Sequence, residues 1–263
     1  MIDEYDAYLF DLDGVLTPTV LLHRRAWQRT FDELFVRLGE PPYRESEYFD
    51  SLDGRPRFEG VAALLSARGI RMPEGDETDD GFGSVRGIGN RKNLEFNEVL
   101  ARDGIEAYPG SLVLLDHLAG LGKPLAVVSS SRNAAPVLRA AGLLPAAPHA
   151  TGTQPAVGTQ HAAASQQAAA SQHSRFAVIV DGVVAEREGL PGKPAPDTFL
   201  RAAELLGSAP ERSVVFEDAG SGVAAGRAGG FGLVVGVDRG VGSEVLRQAG
   251  ADTVVHDLDE VMR

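Results

Sequence analysis

Short apolar runs that end in polar or acidic residues recur along the chain, at Ala7–Phe10, Leu125–Val128, Val214–Phe216 and Leu233–Val237, and helix-like stretches follow most of them. This alternation predicts a parallel sheet with crossover helices, because strands buried on both faces read as continuous apolar runs. Residues 11–124 separate the first two strands, far more than one crossover helix needs. Within that interval Leu21–Leu38, Phe58–Ala67 and Arg91–Arg102 carry apolar positions at helical spacing, divided by Gly, Pro and acidic clusters such as MPEGDETDDGFG. The expected class is α/β: a parallel-sheet core from 1–19 and 105–263, and an inserted α-helical cap domain from 20–104.

The stretch Pro145–Ser174 differs in kind. It consists almost wholly of Ala, Gln, Ser, Thr, Gly, Pro and His, and repeats its GTQ and AAASQ units. With almost no large apolar side chains it cannot offset the entropy of ordering a backbone, so it reads as a mobile surface insertion. His149, His161 and His173 are widely spaced on a segment that would not hold them still, and solvated loop histidines are the simpler reading than metal ligands.

Composition narrows the function classes. At 263 residues and 43% hydrophobic content, the chain can bury a sizeable core and accommodates a large domain with a smaller one. A formal net charge of -12 opposes a sequence-independent grip on nucleic acid or an anionic membrane, which needs clustered Lys and Arg. An anionic substrate must therefore meet locally placed positive groups. The absence of Cys excludes disulfides, thiolate catalysis and cysteine-ligated metals. The MIDEY start has no basic region followed by a signal-length apolar stretch, and no apolar run approaches the roughly 20 residues of a membrane span. The expectation is a cytoplasmic, monomeric protein that acts on small molecules, with no nucleic-acid or membrane partner.

Four polar clusters at strand or loop ends carry the chemistry. In AYLFDLDGVLT the period of two puts Asp11 and Asp13 on one side of a strand end, the edge where open α/β sheets place ligands. Two carboxylates so close favour a hard divalent cation, since each opposes the other's ionisation until a metal neutralises both. In LAVVSSSRN a strand ends at Ser129, Ser130 and Ser131 and leads through Arg132 into a helix near Asn133. Hydroxyls and free amides at a helix start can bind phosphate, or the serines can simply cap the helix. In GKPAPD, Pro194 and Pro196 restrict the backbone beside Lys193 and fix where its ammonium points. In SVVFEDAGSG a strand delivers Glu217 and Asp218 as further carboxylates for a cation.

This order of motifs resembles the haloacid dehalogenase (HAD) superfamily, and within it the β-phosphoglucomutase family and its sugar-phosphate phosphatase relatives; the likeness covers nearly all the chain except Pro145–Ser174. It implies a Rossmann-like core and a Mg2+-dependent intramolecular phosphotransferase. By this resemblance Asp11 takes the phosphoryl group, Asp13 is general acid and base, and Lys193 neutralises the phosphoryl group and the nucleophile. Thr19 is counted with the catalytic residues, and Ser129, Ser130, Ser131, Arg132 and Asn133 with the phosphate-binding ones. Asp11, the Asp13 carbonyl and Asp218, with Glu217 beside them, would hold magnesium. Physical logic agrees, because phosphoryl transfer depends on positioning and on neutralising charge over the equatorial oxygens.

In the cap, LLHRRAW, LDGRPRFEGV and GNRKN carry the same resemblance, which matches His23, Arg57 and Lys92 to contacts with Asp13 or with the distal end of a sugar phosphate. His23 and Trp27 are four apart on one helix face; Trp27 reads as packing and His23 as functional. Arg91 and Lys92 open the predicted helix, where the dipole disfavours cations, and a local rule broken this way hints at a ligand-facing role. Cationic cap residues favour a mutase, which must hold a second phosphate, over a phosphatase, which needs only water. One departure is Pro18-Thr19 where relatives commonly have Asp-Thr, which bears on cap closure.

Rival readings remain at this stage. GSGVAA, with Gly220, Gly222 and Ala225, fits the dinucleotide fingerprint, with Asp238 downstream to hold a ribose, and so points to an NAD(P)-binding oxidoreductase. Within the superfamily, a sugar-phosphate phosphatase is the main competitor. The mutase reading is interconversion of β-D-glucose 1-phosphate and D-glucose 6-phosphate through glucose 1,6-bisphosphate.

Overall fold

The computed structural model describes residues 2–52, 55–145 and 174–262. Its elements, in chain order, are β1 (Ala7–Phe10), α1 (Thr19–Leu38), α2 (Arg57–Ala67), α3 (Val85–Asp103), α4 (Pro109–Gly120), β2 (Leu125–Val128), α5 (Ala134–Ala140), β3 (Val178–Val180), α6 (Gly182–Glu188), α7 (Asp197–Leu206), β4 (Ser213–Glu217), α8 (Gly220–Ala228), β5 (Leu233–Val237), α9 (Ser243–Ala249) and β6 (Thr253–Val255). The strands form one six-stranded sheet in the order β3-β2-β1-β4-β5-β6, with every neighbouring pair parallel.

The period of two along each strand sorts side chains between the faces. Tyr8, Phe10, Leu125, Val127, Val214, Phe216 and Val235 join one apolar cluster with Leu114 and Leu118 of α4 and Val137 of α5. Leu9, Ala126, Val128, Val215 and Val234 join the other with Phe199 of α7, Val223 of α8 and Leu246 of α9. Phe10 and Phe216 stack across neighbouring strands at 4.6 Å between ring centroids, and each such burial contributes about 1.5–3 kcal/mol.

Helices α1, α2 and α3 lie between β1 and β2 and share a third cluster, including Trp27, Phe31, Phe35, Leu64 and Ile88. The apolar stripe of α1 thus divides: Leu22 and Ala26 pack with the sheet cluster, together with Phe96 and Val99 of α3, whereas Trp27 and Phe31 join the cluster that holds Leu64 of α2 and Ile88 of α3.

Three sequence expectations change. Strands β3 and β6 were not foreseen: each is three residues long and partly exposed at a sheet edge, too short for a periodic signal. Helix α3 begins at Val85, because Ser84 accepts a hydrogen bond from the Gly87 amide and caps it; Gly87 and Gly89 hide the first turns from an apolar pattern. Arg91 and Lys92 therefore lie well inside the helix, and the dipole argument drawn from them does not hold, since that effect fades within the first turn. The segment Pro145–Ser174, with its histidines, lies outside the described residues but for its two end positions. No helix among the described residues is long and apolar enough to cross a membrane.

Candidate active site

β1 and β4 lie side by side at the point where the strand order reverses, and open α/β sheets leave a crevice there. Phe10 pairs with Phe216, so the two acidic strand ends emerge together, and the Asp11 amide donates to Phe216 O at 3.0 Å. After Asp11 the chain folds into a tight turn in which Asp13 bridges to Thr17 and the Gly14 amide donates to Thr17 O at 2.8 Å. Gly14 has φ 85°, and a Cβ there would collide with the Asp218 carboxylate. Only glycine allows both the turn and the approach of Asp218.

Lys193 is the centre of charge. Its Nζ donates to Asp11 Oδ1 at 2.5 Å, to Glu217 Oε1 at 2.5 Å and to Val128 O at 3.0 Å, which uses all three ammonium hydrogens. Burial opposes its charge, but the Asp11 and Glu217 carboxylates hold it above the ordinary lysine range. Glu217 Oε2 accepts from the Ala219 amide at 3.1 Å, so both its oxygens are occupied. Glu217 thus anchors Lys193.

The remaining acids match the needs of a cation. Burial pushes Asp11 up to about 8, against the pull of Lys193 and with Glu217 and Asp13 adding to the shift. Asp218 is raised well above the ordinary carboxylate range by burial and then by Glu217, Asp11 and Asp13. Among the described residues Asp218 accepts no hydrogen bond and forms no ion pair, and none reaches Asp11 Oδ2. Mutually repelling carboxylates with oxygens left free fit magnesium. No three acidic or histidine side chains close a cage among the described residues. The donor set thus suits an ion that usually keeps waters and uses one or two carboxylates with substrate phosphate.

Asp13 is held differently. Thr19 Oγ1 donates to its Oδ1, and burial raises its carboxyl despite that bond and the nearby Lys92 charge. His23 Nε2 stands 3.9 Å from Asp13 Oδ1, while His23 Nδ1 lies 2.6 Å from Lys92 Nζ. While Lys92 carries its charge its ammonium can only donate, so Nδ1 then accepts and the ring proton sits on Nε2, facing Asp13. Burial, then Lys92 and Arg57, hold the His23 pKa well below its usual value. Burial and Arg57 lower Lys92 to about 7, against Asp13. Phe96 stacks on His23 at 4.3 Å, and Trp27, packed on Phe31, lies 5.0 Å beneath Lys92.

The serine turn is internally braced. Ser129 Oγ accepts from the Ser131 amide at 3.0 Å and Ser131 Oγ from the Asn133 amide at 3.1 Å, which leaves both hydroxyl hydrogens for another acceptor. Ser129 and Asn133 are buried, whereas Ser130 is exposed. Arg132 is exposed and donates to Glu186 at 2.6 Å. Asn93 joins the two sides: its Oδ1 accepts from Arg57 Nη2 at 2.9 Å and from Asn133 Nδ2 at 2.7 Å. Asn93 stood in the GNRKN segment, but no charge or periodicity singled it out.

The dinucleotide fingerprint has another cause. A Cβ at Gly222 would strike the Glu217 carboxylate, so this glycine makes room for the partner of Lys193. Asp238 is consumed by its own loop, accepting from the Gly240 and Gly242 amides at 3.0 Å each and from Ser243 Oγ at 2.7 Å.

Comparison with known proteins agrees with this geometry. The sequence profile of the haloacid dehalogenase-like hydrolases matches residues 5–230. A β-phosphoglucomutase from Mycobacterium bovis is 42% identical over 268 residues, covering 97% of this chain and 91% of that protein. Hexitol phosphatase A from Escherichia coli is 30% identical, covering 97% of this chain and 92% of that protein. The crystal structure of a β-phosphoglucomutase from Clostridium difficile shares the fold, with a TM-score of 0.69 at 22% identity over 98% of this chain and 93% of the other.

Proposed function

Because the chain belongs to the haloacid dehalogenase-like hydrolase family, we propose that it is a phosphomutase of the β-phosphoglucomutase type, interconverting β-D-glucose 1-phosphate and D-glucose 6-phosphate. The observation that carries this reading is the pair of basic residues on helices inserted between β1 and β2: Arg57 meets the serine turn through Asn93 and Asn133, and Lys92 lies against His23 beside Asp13. A mutase holds one phosphate there while Asp11 handles the other. Residues 20–104 then act as a cap over a core of 1–19 and 105–263.

In this mechanism Asp11 attacks phosphorus through Oδ2, the oxygen that Lys193 leaves free. An Asp11–phosphorus bond forms as the bond from phosphorus to the sugar oxygen breaks, and Asp13, whose carboxyl pKa burial raises, gives its proton to that oxygen. In the other direction Asp13 takes the proton of the attacking hydroxyl while the phosphoryl group passes from Asp11 to a glucose phosphate, giving glucose 1,6-bisphosphate. Ser129 and Ser131 donate to phosphoryl oxygens, and His23 orients Asp13. Asp11, Asp13 and Asp218 are the residues to hold magnesium, which when bound screens the repulsion between carboxylate and phosphate.

The likeness to hexitol phosphatase A favours a second reading, a sugar-phosphate phosphatase in which water takes the phosphoryl group from Asp11. A coupled assay with magnesium and a trace of glucose 1,6-bisphosphate separates them. Glucose 6-phosphate formed from β-glucose 1-phosphate without matching phosphate release supports the mutase; phosphate release alone overturns it.

A further inference from the structure

The turn that carries Asp11 and Asp13 is tied down from behind by residues with no part in the chemistry above. Three successive carbonyls accept hydrogen bonds from other segments: Gly14 O from Arg239 Nε at 3.0 Å, Val15 O from Ser111 Oγ at 2.7 Å and Leu16 O from the Tyr108 amide at 2.9 Å. Arg239, in the loop after β5, spreads its other donors to His256 O at 2.6 Å and to Asp257 Oδ1 at 2.9 Å, and lies 3.6 Å from the centre of the Tyr108 ring. Asp257 Oδ2 accepts from the Gly110 amide at 3.1 Å. Residues 14–18 lead out to α1, and residues 104–108 return from α3 to α4. One guanidinium and its carboxylate partner therefore touch both linkers of the helical insertion.

We infer that Arg239 is a positioning residue that pins the Asp11–Thr17 turn and both linkers to the sheet edge beyond β5. A planar fork can bond Gly14 O, His256 O and Asp257 while stacking on Tyr108; a lysine ammonium cannot reproduce that set. Gly14 tolerates many backbone angles, so without the bond to its carbonyl the Gly14–Val15 peptide can reorient and loosen the turn that carries Asp13. The substrate-facing groups Arg57, Lys92 and the serine turn stay in place, and the loss falls on alignment of the reacting groups.

The test is steady-state kinetics and thermal melting of the full chain with magnesium, using p-nitrophenyl phosphate hydrolysis beside the mutase assay. Arg239→Ala is expected to lower kcat about 10–100-fold with KM within about twofold, and Arg239→Lys to regain only a small part. Arg212→Ala, which removes a surface pair with Asp6, serves as the control and leaves kcat unchanged. A folded Arg239→Ala with wild-type kcat, a loss confined to KM, or full rescue by Arg239→Lys overturns the inference. Should Arg239→Ala fail to fold, Asp257→Asn is read by the same criteria. Absence of mutase activity in the wild type would sink only the mutase reading, since p-nitrophenyl phosphate reports on Asp11 independently of it.

Discussion

Glu217 serves Lys193: its Oε1 lies 2.5 Å from the ammonium, and the Ala219 amide occupies its other oxygen at 3.1 Å. Both side chains are buried, 2% exposed for Glu217 and 7% for Lys193. Removing the charge of one member of a buried pair leaves the other poorly compensated. Glu217→Gln is expected to lose about 1–3 kcal/mol of stability in urea unfolding, and to reduce kcat by roughly tenfold as Lys193 drifts from Asp11. Wild-type kcat in this variant would show that Lys193 needs no second anchor.

Asp11 and Asp13 share one turn and differ in environment, the first on Lys193 and the second on Thr19. Asp11→Asn is expected to abolish turnover and phosphoenzyme formation, because a carboxamide cannot take the phosphoryl group. Asp13→Asn is expected to slow transfer by about 10²–10⁴, the usual contribution of general acid–base help. Hydroxylamine-labile phosphate incorporated by Asp11→Asn would contradict this division of roles.

Much of the site was legible in sequence because its acids, serines and Lys193 stand at strand ends or Pro-flanked turns, where local chemistry shows. The four longer strands were legible because parallel strands read as unbroken apolar runs. The packing of the Lys193 loop against the end of β4, which sets Glu217 beside Lys193, is non-local and was not legible. The start of α3 was hidden because Ser84 and two glycines carry no apolar signal. Asn93, Arg239 and Asp257 are single polar residues whose roles come from partners up to 225 residues away.

Asn93 Oδ1 is the one acceptor shared by Arg57 and Asn133 among the described residues. It joins the inserted helices to the serine turn at the place proposed for a second phosphate. Asn93→Ala is expected to raise KM for the sugar phosphate about 3–10-fold while kcat changes less, as a loss of positioned hydrogen bonds of roughly 1 kcal/mol predicts. A matched fall in kcat with constant KM would instead place Asn93 in the transition state.

Lys92 is 3% exposed and titrates near 7, lowered by burial and then by Arg57. In the unfolded chain it holds its proton to about 10.4. Between those values the unfolded state binds more protons, so this residue makes stability rise with pH from about 7 to about 10. Its burial penalty is full below that window. Lys92→Met is therefore expected to be more stable than the wild type by on the order of 1–3 kcal/mol at pH 6.5, to lose that advantage by about pH 10, and to bind sugar phosphate more weakly. A variant less stable than wild type at pH 6.5 would show that the bond to His23 outweighs the burial of charge.

Asp218 lies against Gly14, raised by burial and by the charges of Glu217, Asp11 and Asp13, with no hydrogen-bond donor among the described residues. Without a cation this carboxylate only adds repulsion, so Asp218→Asn is expected to melt above the wild type in chelator. With magnesium the order reverses: at about 100 times its dissociation constant a ligand stabilises the folded state by about 2.7 kcal/mol, and the variant forgoes most of that gain together with turnover. Chelation of the wild type should abolish activity reversibly. An Asp218→Asn protein whose melting temperature rises with magnesium as much as that of the wild type would remove Asp218 from the cation site.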